Sequence, residues 1–106
     1  MLTLAIRYTL DAGKLAEYEA YAREVPAQAV RCGALAAQYY APTKFAGPTN
    51  ATLALLDFES LAAYERYRER LASDAEVATV LRRVEATRAV LVEDRTILRR
   101  VASAPR

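Results

Sequence analysis

The sequence predicts one α+β domain in the order β-α-β-β-α-β, a four-stranded antiparallel sheet with its helices on one face. Three observations carry this. Apolar residues alternate with a period of two at the start and again in later stretches. Two intervening stretches switch to helical spacing. The third strand-like run, at Leu53, Ala54, Leu55 and Leu56, has no polar face in its middle. A strand that is apolar on both sides has to be covered on both sides.

The elements follow in order. Leu2 to Thr9 alternates, with Leu4, Ile6 and Tyr8 on one side and Thr3, Ala5, Arg7 and Thr9 on the other; this is a strand with one apolar face. Asp11 is placed to cap what comes after it. From Lys14 to about Arg31, Leu15, Tyr18, Ala22, Val25 and Ala29 fall on one helical face. Pro26 lies inside this run and is expected to kink or split the helix, because it has no N–H and crowds the preceding turn. Gly33 is a natural stop. Leu35 to Ala41 reads as the second strand, Pro42 to Asn50 as a loop, and Ala51 to Phe58 as the third strand. Ser60 caps a second helix, Leu61 to Leu71. Ser73-Asp74-Ala75-Glu76 matches a capping box that restarts the helix, and Val77, Val80, Leu81 and Val84 continue its buried side. Ala89 to about Val101 is a long last strand interrupted by Glu93, Asp94 and Arg95.

Right-handed crossovers applied to this order give the ferredoxin-like βαββαβ arrangement. Its helices leave one sheet face bare, and the third strand puts leucines there. A second copy packing sheet against sheet covers them, so the expected assembly is a homodimer of the dimeric α+β barrel type. The domain is expected to span residues 1–101, with 102–106 a flexible C-terminal tail. A length of 106 residues fits one domain.

Composition narrows the function. The net charge is +2, and the arginines are interleaved with glutamates, as in Glu65-Arg66-Tyr67-Arg68-Glu69-Arg70. That is an ion-paired solvated face, not the one-signed stripe that nucleic acid requires. No apolar run approaches the ~20 residues of a membrane helix. Cys32 is the sole cysteine, so no internal disulfide can form. These features fit a cytoplasmic protein without a membrane or nucleic-acid partner. Histidine is absent, which removes the commonest metal ligand and neutral-pH base. No metal motif, serine nucleophile elbow or phosphate-binding glycine loop is present, and no cofactor is expected.

The run from Phe58 to Asp74, with its aromatic, Ser-Leu, Tyr and Asp spacing, resembles the second-helix signature of the NIPSNAP family. The opening Ile6-Arg7-Tyr8-Thr9-Leu10 with Gly13-Lys14-Leu15 is similar to the family's first strand and turn. Tyr40-Ala41-Pro42 matches an aromatic-x-Pro closing the second strand, and Asn50 a loop residue before the third. The resemblance implies the ferredoxin-like fold and the barrel dimer, and little chemistry. Relatives by fold include cofactor-independent monooxygenases, heme-degrading enzymes and small-molecule decarboxylases or cyclases. Many family members carry a histidine just before the aromatic-x-Pro. Here Gln38 stands in that neighbourhood, so no histidine acid–base role carries over.

Arg7, Gln38 and Tyr40 are the candidate ligand-binding residues. Tyr39 and Tyr40 are adjacent in a strand and point to opposite faces. Tyr40 shares parity with Gln38, and the two line either a pocket or the dimer interface. Arg7 alternates against the Leu4–Ile6–Tyr8 face and so lies on the bare side. There it pairs with an acid, with Glu93 and Asp94 available, or binds a carboxylate ligand. Tyr18, Tyr64 and Tyr67 read as core, their hydroxyls reaching an edge. Two function classes remain. One is a binding dimer that takes a small molecule or partner in or near the barrel. The other is a cofactor-independent, monooxygenase-like enzyme acting on a small hydrophobic or aromatic substrate. An enclosed pocket of ~300 Å³ or more in the barrel interior, near Arg7, Gln38 and Tyr40, would favour the enzyme, and a barrel filled by leucine and tyrosine side chains the binding dimer.

Overall fold

The computed structural model describes all residues, 1–106. Four strands, β1 (Leu2–Leu10), β2 (Ala36–Tyr39), β3 (Ala51–Phe58) and β4 (Val90–Arg99), form one antiparallel sheet in the order β2-β3-β1-β4. Three helices, α1 (Leu15–Arg31), α2 (Leu61–Ser73) and α3 (Ala75–Thr87), cover one face. This is the βαββαβ arrangement the alternating periods predict.

The core lies between helices and sheet. Leu4, Ile6, Tyr8 and Leu10 of β1 and Ala54, Leu56 and Phe58 of β3 meet Tyr18 and Ala29 of α1, Tyr67 of α2 and Val77 of α3. Phe58 anchors one end, with its ring 4.8 Å from Tyr67 and 5.3 Å from Tyr64 between centroids. The opposite sheet face carries Thr3, Arg7 and Thr9 of β1, Leu53 and Leu55 of β3, and Gln38 of β2, with no helix over it.

Helix ends follow their local chemistry. Asp11 caps a short 3-10 turn, Ala12–Lys14, by accepting from the Gly13 N–H at 2.9 Å. At the far end of α1, Gly33 takes φ 126°. Its N–H reaches Val30 O and that of Ala34 reaches Ala29 O, both at 3.0 Å. This is the Schellman pattern that glycine permits. Pro26 does not split α1, which runs unbroken from Leu15 to Arg31. Proline removes one ladder donor, for the Ala22 carbonyl. Burial of Tyr18 before it and Val25 and Ala29 around it holds one helix together.

The junction of α2 and α3 also departs from expectation. Asp74, not Ser73, is the N-cap of α3, accepting from Val77 N–H at 3.0 Å. The Ser73 hydroxyl instead donates back to the Glu69 and Arg70 carbonyls at 3.3 Å. The break between the helices is therefore a single residue. Asp74 also pairs with Arg31 at the end of α1, and Arg31 reaches Glu76 Oε2 at 3.3 Å. One carboxylate thus ties together three helix ends.

β2 is shorter than the sequence suggests, although Leu35 N–H to Asp57 O and Tyr40 N–H to Leu53 O extend its bonding at both ends. β4 stops at Arg99 because its partner ends there; Arg100 N–H makes the last bond, to Met1 O. No helix is long and apolar enough to cross a membrane.

Candidate functional site

Strands β1 and β4 run in register from Leu2↔Arg99 to Thr9↔Val92, and then Leu10 pairs with Val90. The step leaves Leu91 as an extra residue, a β-bulge. Residues directly opposite in antiparallel strands share a face. Beyond the bulge, Glu93 (opposite Tyr8) and Arg95 (opposite Ile6) therefore lie on the helix-covered side. Asp94, opposite Arg7, lies on the bare side. Of the acids suggested as partners for Arg7, only Asp94 shares its face, and no ion pair joins the two.

Where the bulge turns β4, α3 ends, and a cavity of about 470 Å³ opens between β1, β4, α1 and α3. Tyr8 and Val84 are its buried floor, with Tyr21 and Val90 as walls. Leu81, Glu85, Arg88 and Leu91 form an exposed rim, and Glu93 enters from β4. Arg88 ends α3 in the left-handed conformation, at φ 57°. The volume falls within the ~300–1,000 Å³ range of ligand pockets.

An aromatic cluster stands behind the cavity. The Tyr8 ring lies 5.4 Å from that of Tyr18 and 6.5 Å from that of Tyr39. Tyr21 lies 6.1 Å from Tyr18 and 6.0 Å from Tyr39. The Tyr8 residue is 3% exposed, and its Oη has no hydrogen-bond partner in the protein. The hydroxyls of Tyr21 and Tyr39 are near enough to bear on its ionisation, but outside hydrogen-bonding geometry. A buried polar atom left unpaired costs about 1–3 kcal/mol. Burial, with Tyr39, Tyr21 and Glu93 nearby, pushes the Tyr8 hydroxyl far above the ordinary phenol range. It stays neutral, able to donate and accept a hydrogen bond but not to act as a base. Tyr18 Oη is a second buried orphan, so its hydroxyl does not reach an edge as expected. No polar partner lies within its reach in the core.

Arg95 donates from Nε to Glu93 Oε2 at 3.1 Å, and its side chain is 40% exposed. Burial opposes its charge. The Glu93 carboxylate outweighs that, so the guanidinium holds its proton even more firmly than usual.

All three residues singled out by sequence lie on the bare face. Gln38 and Tyr40 are together there, with Tyr40 Oη donating to Gln38 Oε1 at 3.2 Å. Arg7 stands opposite Leu53, and Tyr40 bonds to Leu53 from the other side. Arg7 and Tyr40 are thus in one cross-strand row with a leucine between them. None of the three lines the large cavity. Tyr39 turns the other way, into the core. Cys32 is buried, and that burial raises its thiol pKa; its Sγ lies 3.9 Å from Asp74 Oδ2.

The NIPSNAP family profile matches residues 4–105. No curated protein matches the sequence. Among solved structures, an uncharacterized NIPSNAP domain protein from Burkholderia xenovorans superposes at a TM-score of 0.78 with 19% identity over 100% of both chains. Protein Atu4242 from Agrobacterium tumefaciens gives 0.80 and 19% over 99% of this chain and 98% of its own. SnoaB, a cofactor-independent oxygenase from Streptomyces nogalater, gives 0.72 and 14% over 99% of this chain and 97% of its own. At these identities the likeness is one of fold.

Proposed function

The chain belongs to the NIPSNAP family, and from that premise we propose that it is a homodimer binding a small aromatic molecule in the cavity between its helices and sheet. The observation that carries this is the cavity itself, about 470 Å³ with a floor of Tyr8 and Val84 and a wall of Tyr21. Such a lining suits a planar apolar ligand. The rim balances Arg88 against Glu85, which suits an uncharged guest. The cavity lies under the helices, so it does not compete with the sheet face for the second copy.

The test is a thermal-shift screen of mono- and bicyclic aromatic compounds on three proteins: wild type, Leu81→Trp and Arg7→Ala/Tyr40→Phe. Compounds that stabilise the wild type and the double variant, but not Leu81→Trp, support the cavity. Stabilisation lost only in the double variant moves the ligand to the bare sheet face, around Arg7, Gln38 and Tyr40. Stabilisation of no protein by any compound counts against binding altogether.

A second reading is cofactor-independent oxygenation in the same cavity. The aromatic floor and the fold shared with SnoaB favour it. Its mark is oxygen uptake in step with loss of a bound electron-rich aromatic, abolished in Leu81→Trp.

A further inference from the structure

We infer that the cavity selects uncharged aromatic molecules bearing an N–H or O–H on the ring system, with that donor bonded to the free oxygen of the Glu93 carboxylate. This deepens the cavity reading above and rests on it.

Glu93 is the acid that reaches the cavity from the sheet. The bulge at Leu91 sets it on the helix-covered side, opposite Tyr8, and it lines the cavity from β4. Its Oε2 accepts from Arg95 Nε at 3.1 Å, which holds the carboxylate in place. Its Oε1 accepts no hydrogen bond from the protein. The Tyr8 hydroxyl is fully buried, so Tyr8 offers a guest its ring alone. Glu85 and Arg88 stand outside, on the exposed rim.

The Glu93 side chain is 39% exposed, so Oε1 is hydrated when the protein is free. An aromatic guest displaces that water. A ring N–H or O–H replaces the lost hydrogen bond with a charge-assisted one. A guest with only acceptor atoms leaves the carboxylate oxygen dry and unpaired, and such a site discriminates strongly against it. Charge sets the guest's state. Arg95 already neutralises Glu93, and the rim carries one charge of each sign. A cation therefore finds no uncompensated acid inside, and an anion meets the Glu93 carboxylate.

Indole and benzofuran test this, because they share one shape and differ in an N–H donor against an oxygen acceptor. Benzamidine is the cationic probe. Each is titrated into ¹⁵N-labelled wild type, Glu93→Gln and Glu65→Gln, and amide shifts at Val84 and Val90 report binding in the cavity. Glu65 is exposed on α2, away from the cavity, so its variant controls for the change in charge. Wild type and Glu65→Gln should bind indole about fivefold or more tighter than benzofuran. In Glu93→Gln the amide carbonyl has to serve Arg95, which turns the NH₂ group to the guest. The preference for indole should then vanish or reverse, while the amide spectrum shows that the variant is folded. Equal wild-type affinity for indole and benzofuran overturns the inference and leaves the cavity reading standing. A preference for indole that survives in Glu93→Gln, or tighter binding of benzamidine to the wild type, overturns it as well. Binding of none of the three compounds overturns both readings.

Discussion

Tyr8 and Tyr18 each hold a hydroxyl in the core with nothing in the protein to bond it. Phenylalanine would fill nearly the same volume without the desolvated oxygen. Tyr8→Phe and Tyr18→Phe should therefore each raise stability, by about 1 kcal/mol, read as a shift in the urea midpoint at unchanged slope. A loss of stability in either variant would mean that its hydroxyl is satisfied in solution. The two tyrosines differ in what lies beside them. Only Tyr8 also lines the cavity. Arg88 repeats the pattern at the rim. It holds a left-handed conformation that glycine adopts more cheaply, and its side chain stands at the cavity mouth.

At the scale of elements, the periods in the chain were enough to read each strand and helix. Alternation in β1 and helical spacing in α1 and α3 come from burial on one face, and that is a local signal. Pro26 does not split α1, because its effect depends on packing along the whole helix, where Tyr18, Val25 and Ala29 outweigh one missing donor. The cavity was not legible. Tyr8, Val84 and Val90 carry the same pattern as any core residue. The bulge at Leu91 breaks the parity of β4, so that Val90 and Glu93, three residues apart, share a face. Counting by twos from Val90 would send Glu93 and Arg95 to the wrong side. Arg7, Gln38 and Tyr40 were readable as one face because β1, β2 and β3 have no such break. The α2–α3 junction makes its own prediction. Arg31, then the Val77 N–H, holds the Asp74 carboxyl down to about 2. A depressed folded-state pKa contributes stability that is present above the unfolded value of about 4 and lost as pH falls through about 2. Asp74→Asn keeps a capping oxygen but has no proton to take up. Urea midpoints measured between pH 5 and pH 2 should fall less steeply for Asp74→Asn than for wild type. Identical slopes would mean that the Arg31–Asp74 pair does not persist in solution.

At the scale of the whole molecule, the proposed homodimer would cover the bare sheet face. Its middle rows read Asp94, Arg7, Leu53, Tyr40 and Thr96, Ala5, Leu55, Gln38 across the four strands. Leu53 is 39% exposed in the single chain, and Leu98 and Val92 on β4 add apolar area on the same side. A two-fold axis through such a face brings each patch against its own copy. Leucine then meets apolar surface, while Arg7 and Asp94 can answer each other across the pair. An obligate interface of this kind buries on the order of 2,000 Å² or more. Leu53→Asp should split it, because each copy would then carry an unpaired carboxylate into the contact, and a charge buried without a partner is strongly unfavourable. The single chain should survive the change, since Leu53 lies outside the helix-covered core. Light scattering at micromolar concentration should thus give a dimer for wild type and a folded monomer for Leu53→Asp, with circular dichroism reporting the fold. A monomeric wild type would remove the dimer. A variant that remains dimeric would keep the dimer but move its interface off the sheet, and Leu53 would then need another account.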